Sequence, residues 1–144
     1  MNRCLQFAAI VTVYVALGGC AKTPQVAVTD AWSGALPPTA TVGAAYMKIT
    51  STTSDELLSA ETPIADHVEF HATQNANGMM QMRELHALSV EPATTLTFAP
   101  GANHMMLLGL KQPLVAGAAF PMTLHFKNAG ALAVNIEVRN DLGE

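Results

Sequence analysis

Short stretches of alternating hydrophobic and polar residues recur along most of the chain, with turn-forming residues between them. Alternation with a period of two is typical of β-strands that bury one face, and no segment shows a sustained helical period. Many short strands joined by glycine, proline, asparagine and aspartate predict an all-β sandwich or barrel. The predicted strands are 25–32, 43–50, 55–61, 66–72, 79–86, 94–99, 103–109, 119–127 and 131–139.

The alternation also predicts which side chains share a face of each strand. In strand 119–127 every second residue from Phe120 to Phe126 is large and apolar, which indicates a core-facing strand. In strand 66–72, by contrast, one face carries His67, Glu69 and His71. A turn is predicted from Gln74 to Gly78, directly after that strand.

The beginning of the chain differs from the rest. A positively charged start is followed by an apolar run over residues 4–17, which is short for a membrane-spanning helix, and then by small residues. The ending Leu-Gly-Gly-Cys at Cys20 resembles the lipobox of bacterial lipoproteins. An ordinary signal peptide with an incidental cysteine is the alternative.

We therefore expect a lipoprotein signal peptide at 1–19, lipidation of Cys20, a lipidated tether at 20–24 and one β domain at 25–144. The lipid would be the only membrane attachment, since no spanning segment is predicted. This organisation predicts the bacterial periplasm, on either the inner or the outer membrane.

Charge and cysteine content exclude several classes of function. The formal net charge of −4 argues against nucleic acid as a partner, because nucleic-acid binding needs basic patches. The two cysteines, Cys4 and Cys20, both precede the predicted domain, which leaves no cysteine nucleophile, thiolate zinc site or CxxC motif in it. No Gly-x-Ser-x-Gly or HExxH motif is present, and we expect that the protein is not an enzyme.

Histidine and methionine carry the candidate chemistry. His104 and Met106 point the same way from one strand, roughly 6.6–7 Å apart along it, and His71 and Met82 could join them from neighbouring strands. Thioether sulfur is soft and favours Cu(I), whereas a blue-copper site requires a cysteine. Two imidazoles and two thioethers therefore suit holding Cu(I) better than cycling electrons through it.

The spacing of these four residues carries a family resemblance. Ten residues separate His71 from Met82, and twenty-one separate Met82 from the triplet that begins at His104 and includes Met106. This H-x10-M-x21-H-x-M pattern resembles the signature of the periplasmic copper chaperone family called PCuAC. The segments around the motif, 68–71, 78–83 and 104–111, are similar to that family as well.

The resemblance implies a cupredoxin-like Greek-key β-sandwich or barrel. It implies one exposed Cu(I) bound by His71, Met82, His104 and Met106. It further implies a monomer that delivers copper toward the CuA site of a cytochrome c oxidase subunit, alongside Sco-type proteins. Copper tolerance or storage, and a metal-free β-sandwich lipoprotein of the envelope, are the alternatives.

The remaining histidines, methionines and aromatic residues have simpler interpretations. Core packing is predicted for Met47, Met105 and Met122. Ordinary packing is preferred for Met79 and Met80, with an exposed soft patch as the alternative. Surface positions are predicted for His67, His86 and His125, and packing positions for Trp32 and Tyr46. We expect Glu69 and Arg83 to be solvated or paired across strands.

Overall fold

Ten β-strands form the regular structure of residues 25–140, the part of the chain that the computed structural model describes. They are β1 Val26–Gly34, β2 Val42–Ser51, β3 Asp55–Glu61, β4 His67–Ala76, β5 Met79–Leu85, β6 Leu88–Val90, β7 Thr95–Phe98, β8 His104–Leu108, β9 Ala119–Phe126 and β10 Gly130–Arg139. No helix occurs among these residues, so they contain none long and apolar enough to cross a membrane. The predicted signal peptide, Cys20 and tether lie outside them.

All nine predicted strands are present, and two details differ from the prediction. The short strand β6 was not predicted, because three residues are too few to show alternation. The predicted turn over Gln74–Gly78 is wrong in extent, since β4 continues to Ala76 and only Asn77 and Gly78 form the turn. Both have positive φ, at 53° and 81°, which suits a two-residue Asn-Gly hairpin that keeps the strands in register.

The strands belong to one continuous sheet in the order β5-β4-β8-β2-β1-β10-β9-β3-β6, and β7 pairs with β2 beside this path. Among the strand pairs of residues 25–140 only β1–β10 is parallel, and an isolated parallel bridge joins Phe98 to Asn103. The sheet curves enough that β3 contacts β4, and β6 contacts β2 and β7. The concave side therefore encloses a single core.

Alternating residues of several strands fill that core. On β9, the four apolar side chains from Phe120 to Phe126 are all buried, as predicted. Met105 and Leu107 of β8 are completely buried as well. Fully burying one such side chain contributes roughly 1.5–3 kcal/mol, so these residues are a main source of the stability of the fold.

Strand β8 links the core to the opposite surface. Its odd-numbered residues Met105 and Leu107 face the core, and His104 and Met106 alternate with them. Its neighbours are β4 on one side and β2 on the other, and β5 lies beyond β4 at the sheet edge. This corner of the sheet positions the candidate site.

Candidate metal centre

Cross-strand register brings the four predicted ligands to one face of the sheet. In the β4–β8 pair His71 lies opposite His104, and in the β4–β5 pair Thr73 lies opposite Met82. Met106 lies two pairs further along β8, opposite Glu69. Residues opposite each other in a sheet share a face, as do residues two apart in one strand. Both imidazoles and both thioethers therefore lie on the same side.

The two histidine rings lie close together beneath this surface. Their centroids are 5.8 Å apart with the ring planes inclined by 42°. His104 is 7% exposed, and the side chain of His71 is 17% exposed. The rings are thus largely withdrawn from water, with their positions fixed by the pairing of β4 with β8.

His104 has one ring nitrogen occupied by a backbone contact. Its Nδ1 donates a hydrogen bond to the carbonyl oxygen of Ala102 at 3.1 Å, and the amide of Thr73 donates to the same oxygen at 3.4 Å. A carbonyl oxygen can only accept, so the imidazole proton belongs to Nδ1. In the neutral ring Nε2 then keeps a free lone pair, as metal binding requires.

His71 has the opposite arrangement. Its Nε2 lies 2.9 Å from Oε2 of Glu69, and its Nδ1 is buried with no hydrogen-bond partner among residues 25–140. The hydrogen bond from His71 lowers the pKa of the Glu69 carboxyl, outweighing the partial burial that raises it, and His67 adds to the lowering. Glu69 is therefore ionised near neutral pH.

The two thioethers border an open groove next to these rings. Met82 is 63% exposed on the edge strand β5, and Met106 is half-buried on β8. Met82, His104 and Met106 line a groove of about 470 Å³, whose walls include Leu36 and Tyr46. Metal ions and their exchange partners can reach the sulfur atoms from solvent.

The donor set matches a soft cation. Residues 25–140 contain no group of three histidine, cysteine, aspartate or glutamate side chains that could hold a metal ion. Methionine sulfur, which completes the predicted donor set, favours Cu(I) over zinc, calcium or magnesium. All four predicted donors are neutral in their binding forms.

The other methionines divide into two groups. Met47, Met105 and Met122 are at most 1% exposed, which confirms their prediction as core residues. The preferred packing interpretation of Met79 and Met80 is wrong, because they are 65% and 66% exposed. Strand β5 is an edge strand whose residues are nearly all exposed, so it offers these side chains no core to pack against.

The remaining predicted positions agree with the structure. The side chains of His67 and His86 are 61% and 90% exposed, and that of His125 contacts Glu61 at the surface. Trp32 is buried, and its ring centroid lies 4.7 Å from that of Tyr46.

The surroundings of Glu69 differ from those that the sequence predicted. Glu69 was expected in water or paired across strands, but it contacts His67 and His71 on its own strand. The available signal was its position two residues before His71 on the same face. That spacing alone does not predict contact, because such side chains are roughly 6.6–7 Å apart along the strand.

Comparison with known proteins supports this description. A family described as "Putative lipoprotein LpqE-like" matches residues 26–138. "Putative lipoprotein Lxx21020" of Leifsonia xyli subsp. xyli is 29% identical over an alignment of 155 positions, which covers 99% of this chain and 93% of that protein.

Solved structures give the same picture. The Cu(I) form of DR1885 from Deinococcus radiodurans is 30% identical, with a TM-score of 0.67 over 88% of this chain and 85% of that one. Apo-DR1885 is 29% identical, with a TM-score of 0.65 over 100% and 99% of the two chains. A copper-bound PCuAC domain from PmoF2 is 23% identical, with a TM-score of 0.68 over 81% and 94%.

These comparisons confirm the predicted all-β, cupredoxin-like fold. The LpqE-like match extends across nearly all of the described strands, from β1 to β10. The fold resembles that of PCuAC domains, as the sequence motif predicted, and the chain belongs to the LpqE-like lipoprotein family.

Proposed function

We propose that this protein is a copper chaperone that binds one Cu(I) through His71, Met82, His104 and Met106 and passes it to a partner protein. The observation that carries the proposal is the register of β4, β5 and β8, which gathers two imidazoles and two thioethers on one face. The Cu(I) form of DR1885, a 30% identical relative, supports the choice of metal.

The exposure of the site favours transfer over permanent storage. Met82 is largely exposed, and Met106 borders the same groove, so an incoming thiolate could displace a thioether without opening the fold. The withdrawn histidines would hold the ion while the exchange proceeds. In this proposal the protein acts as a carrier of copper and not as a catalyst.

We further propose that the domain works in the bacterial periplasm, held to a membrane by lipid on Cys20. Membership of a lipoprotein family supports the anchor. The acceptor we propose is the CuA site of cytochrome c oxidase or a Sco-type protein that serves it. Delivery to that acceptor is a more specific proposal than copper binding and is independent of it.

Replacing His104 and Met106 together, as H104A/M106L, tests the binding site. The wild-type protein is expected to take up one Cu(I) per chain in anaerobic competition with a colorimetric Cu(I) chelator, and the double variant is expected to lose this binding. Circular dichroism should show the β fold intact in both. One-to-one binding retained by the folded double variant would refute the site, and a wild-type protein that takes up no Cu(I) would favour the metal-free alternative.

A further inference from the structure

Glu69 occupies a distinctive place beside the proposed copper ligands. It lies two residues before His71 on β4 and directly opposite Met106 on β8. Its side chain is 30% exposed, and both of its oxygens contact imidazoles: Oε2 lies 2.9 Å from His71, and Oε1 lies 3.3 Å from His67. A glutamate on this face could instead extend into water, so these two contacts require explanation.

The hydrogen bond between Glu69 and His71 determines where the imidazole proton resides. An ionised carboxylate has no proton to donate, so Nε2 of His71 must donate. A neutral imidazole has only one N–H, which leaves Nδ1 with a bare lone pair.

The surroundings of Nδ1 agree with this tautomer. The atom is buried and has no hydrogen-bond partner among residues 25–140. A proton on Nδ1 would be a buried donor without an acceptor, and the Nε2 lone pair would then face the carboxylate oxygens. Both contacts would be unfavourable, so the local structure selects a His71 whose unprotonated nitrogen is withdrawn from water.

We propose that Glu69 is a positioning residue of the copper site, whose carboxylate fixes the ring of His71 and leaves Nδ1 as the nitrogen that binds Cu(I). The inference rests on the proposed function and adds to it one residue and one donor atom. Hydrogen-bonded carboxylates behind metal-binding histidines orient the ring and raise its basicity.

The chain offers a matched control for removing this carboxylate. Glu84 lies opposite His71 in the β4–β5 pair and therefore shares the same face, but its imidazole contact is with His86 at 3.8 Å. Glu69→Ala and Glu84→Ala each remove one negative charge from the same face of the sheet. Only Glu69→Ala removes the hydrogen bond to His71, and Glu69→Gln keeps an acceptor oxygen without the charge.

The first measurement uses the metal-free protein at neutral pH and needs no copper. Nitrogen-15 NMR of the imidazole rings should show His71 protonated at Nε2 and bare at Nδ1 in the wild type and in E84A. In E69A the proton should be shared between the two nitrogens, and E69Q should restore part of the wild-type pattern. A wild-type His71 with its proton on Nδ1 would overturn the assignment.

The second measurement is Cu(I) affinity by chelator competition. E69A should bind Cu(I) roughly 10–100-fold more weakly, the range found for partners of metal-binding histidines, while E84A should match the wild type. Either readout unchanged in E69A overturns the inference about Glu69. A wild-type protein that binds no Cu(I) would instead overturn the proposed function, so the two failures are distinguishable.

Discussion

The imidazoles and the thioethers of the proposed copper site differ in their exposure to solvent. The imidazoles are largely withdrawn from water and fixed by hydrogen bonds from one ring nitrogen each. The thioethers border the open groove, and Met82 extends from an edge strand. A chaperone needs both properties, because it must retain its metal and still release it.

At this scale Met82 can be tested against a neighbour of nearly equal exposure. Met80 shares its strand and its face, lying opposite Asn75 while Met82 lies opposite Thr73, and the two are 66% and 63% exposed. Leucine has about the volume of methionine but no sulfur. M82L should weaken Cu(I) binding by at least about tenfold, or about 1.4 kcal/mol, whereas M80L should not.

Chelator competition on the two leucine variants gives the answer directly. Equal weakening in M80L and M82L would mean that the exposed methionines act as a general soft patch. No weakening in M82L would remove it from the ligand set.

Residue spacing and the family resemblance together predicted the four candidate donors, but not the contact between Glu69 and His71. The positions of His104 and Met106 on one strand are fixed by alternation, and the resemblance supplied the long-range relation to His71 and Met82. The contact between Glu69 and His71 depends on side-chain rotamers, which alternation does not specify. For the same reason the sequence could not assign the tautomer of either histidine.

The alternating pattern of hydrophobic and polar residues was most informative about the location of the strands. It located every strand long enough to alternate, and it missed only the three-residue β6. The alternating pattern could not predict the order of the strands in the sheet, because the β4–β8 and β1–β10 pairs join segments that are distant in sequence. Those pairings depend on how the whole sheet buries its apolar faces.

Asp55 provides a test of how the elements are tied together. This buried carboxylate at the start of β3 accepts backbone hydrogen bonds from Glu56, Asn128 and Ala129 at 2.8–2.9 Å, and so joins β3 to the β9–β10 turn. Burial alone would raise its pKa, but these amides, with Lys127, lower the pKa below its ordinary value. The folded state therefore favours the ionised form.

Replacing Asp55 with asparagine should lower the free energy of unfolding by about 1–3 kcal/mol at pH 7, because asparagine keeps one acceptor oxygen and places an NH2 donor where the other oxygen accepted a backbone N–H. Because the pKa of Asp55 is lower in the folded state, its ionised carboxylate stabilises the fold at pH values above the unfolded pKa of about 3.9. This stabilisation is lost as the pH falls through the folded pKa. Urea unfolding should therefore show the difference between wild type and D55N narrowing below about pH 4.

The exposed Asp66, which pairs with Lys111 at 3.3 Å, is the control. The D66N variant should lower the free energy of unfolding by less than about 1 kcal/mol at pH 7, as is usual for a surface ion pair. The role given to Asp55 would be contradicted if D55N lowered the free energy of unfolding no more than D66N does. It would also be contradicted if the difference between D55N and wild type were the same below about pH 4 as at pH 7.

The whole molecule separates its stability from its proposed chemistry. On β8 the core-facing Met105 and Leu107 alternate with His104 and Met106, so a single strand serves both the core and the site. The fold brings the donors together through backbone pairing alone. We therefore expect that the site is largely formed before copper arrives and that ligand variants keep the fold.

X-ray absorption at the copper edge of the Cu(I)-loaded protein shows whether sulfur and nitrogen atoms together hold the ion. We predict mixed sulfur and nitrogen scattering in the wild type, and loss of the sulfur contribution in M82L/M106L, with M79L/M80L as the matched control that keeps it. Copper surrounded by nitrogen and oxygen alone in the wild type, or sulfur scattering that persists in M82L/M106L, would contradict a two-histidine, two-methionine Cu(I) site.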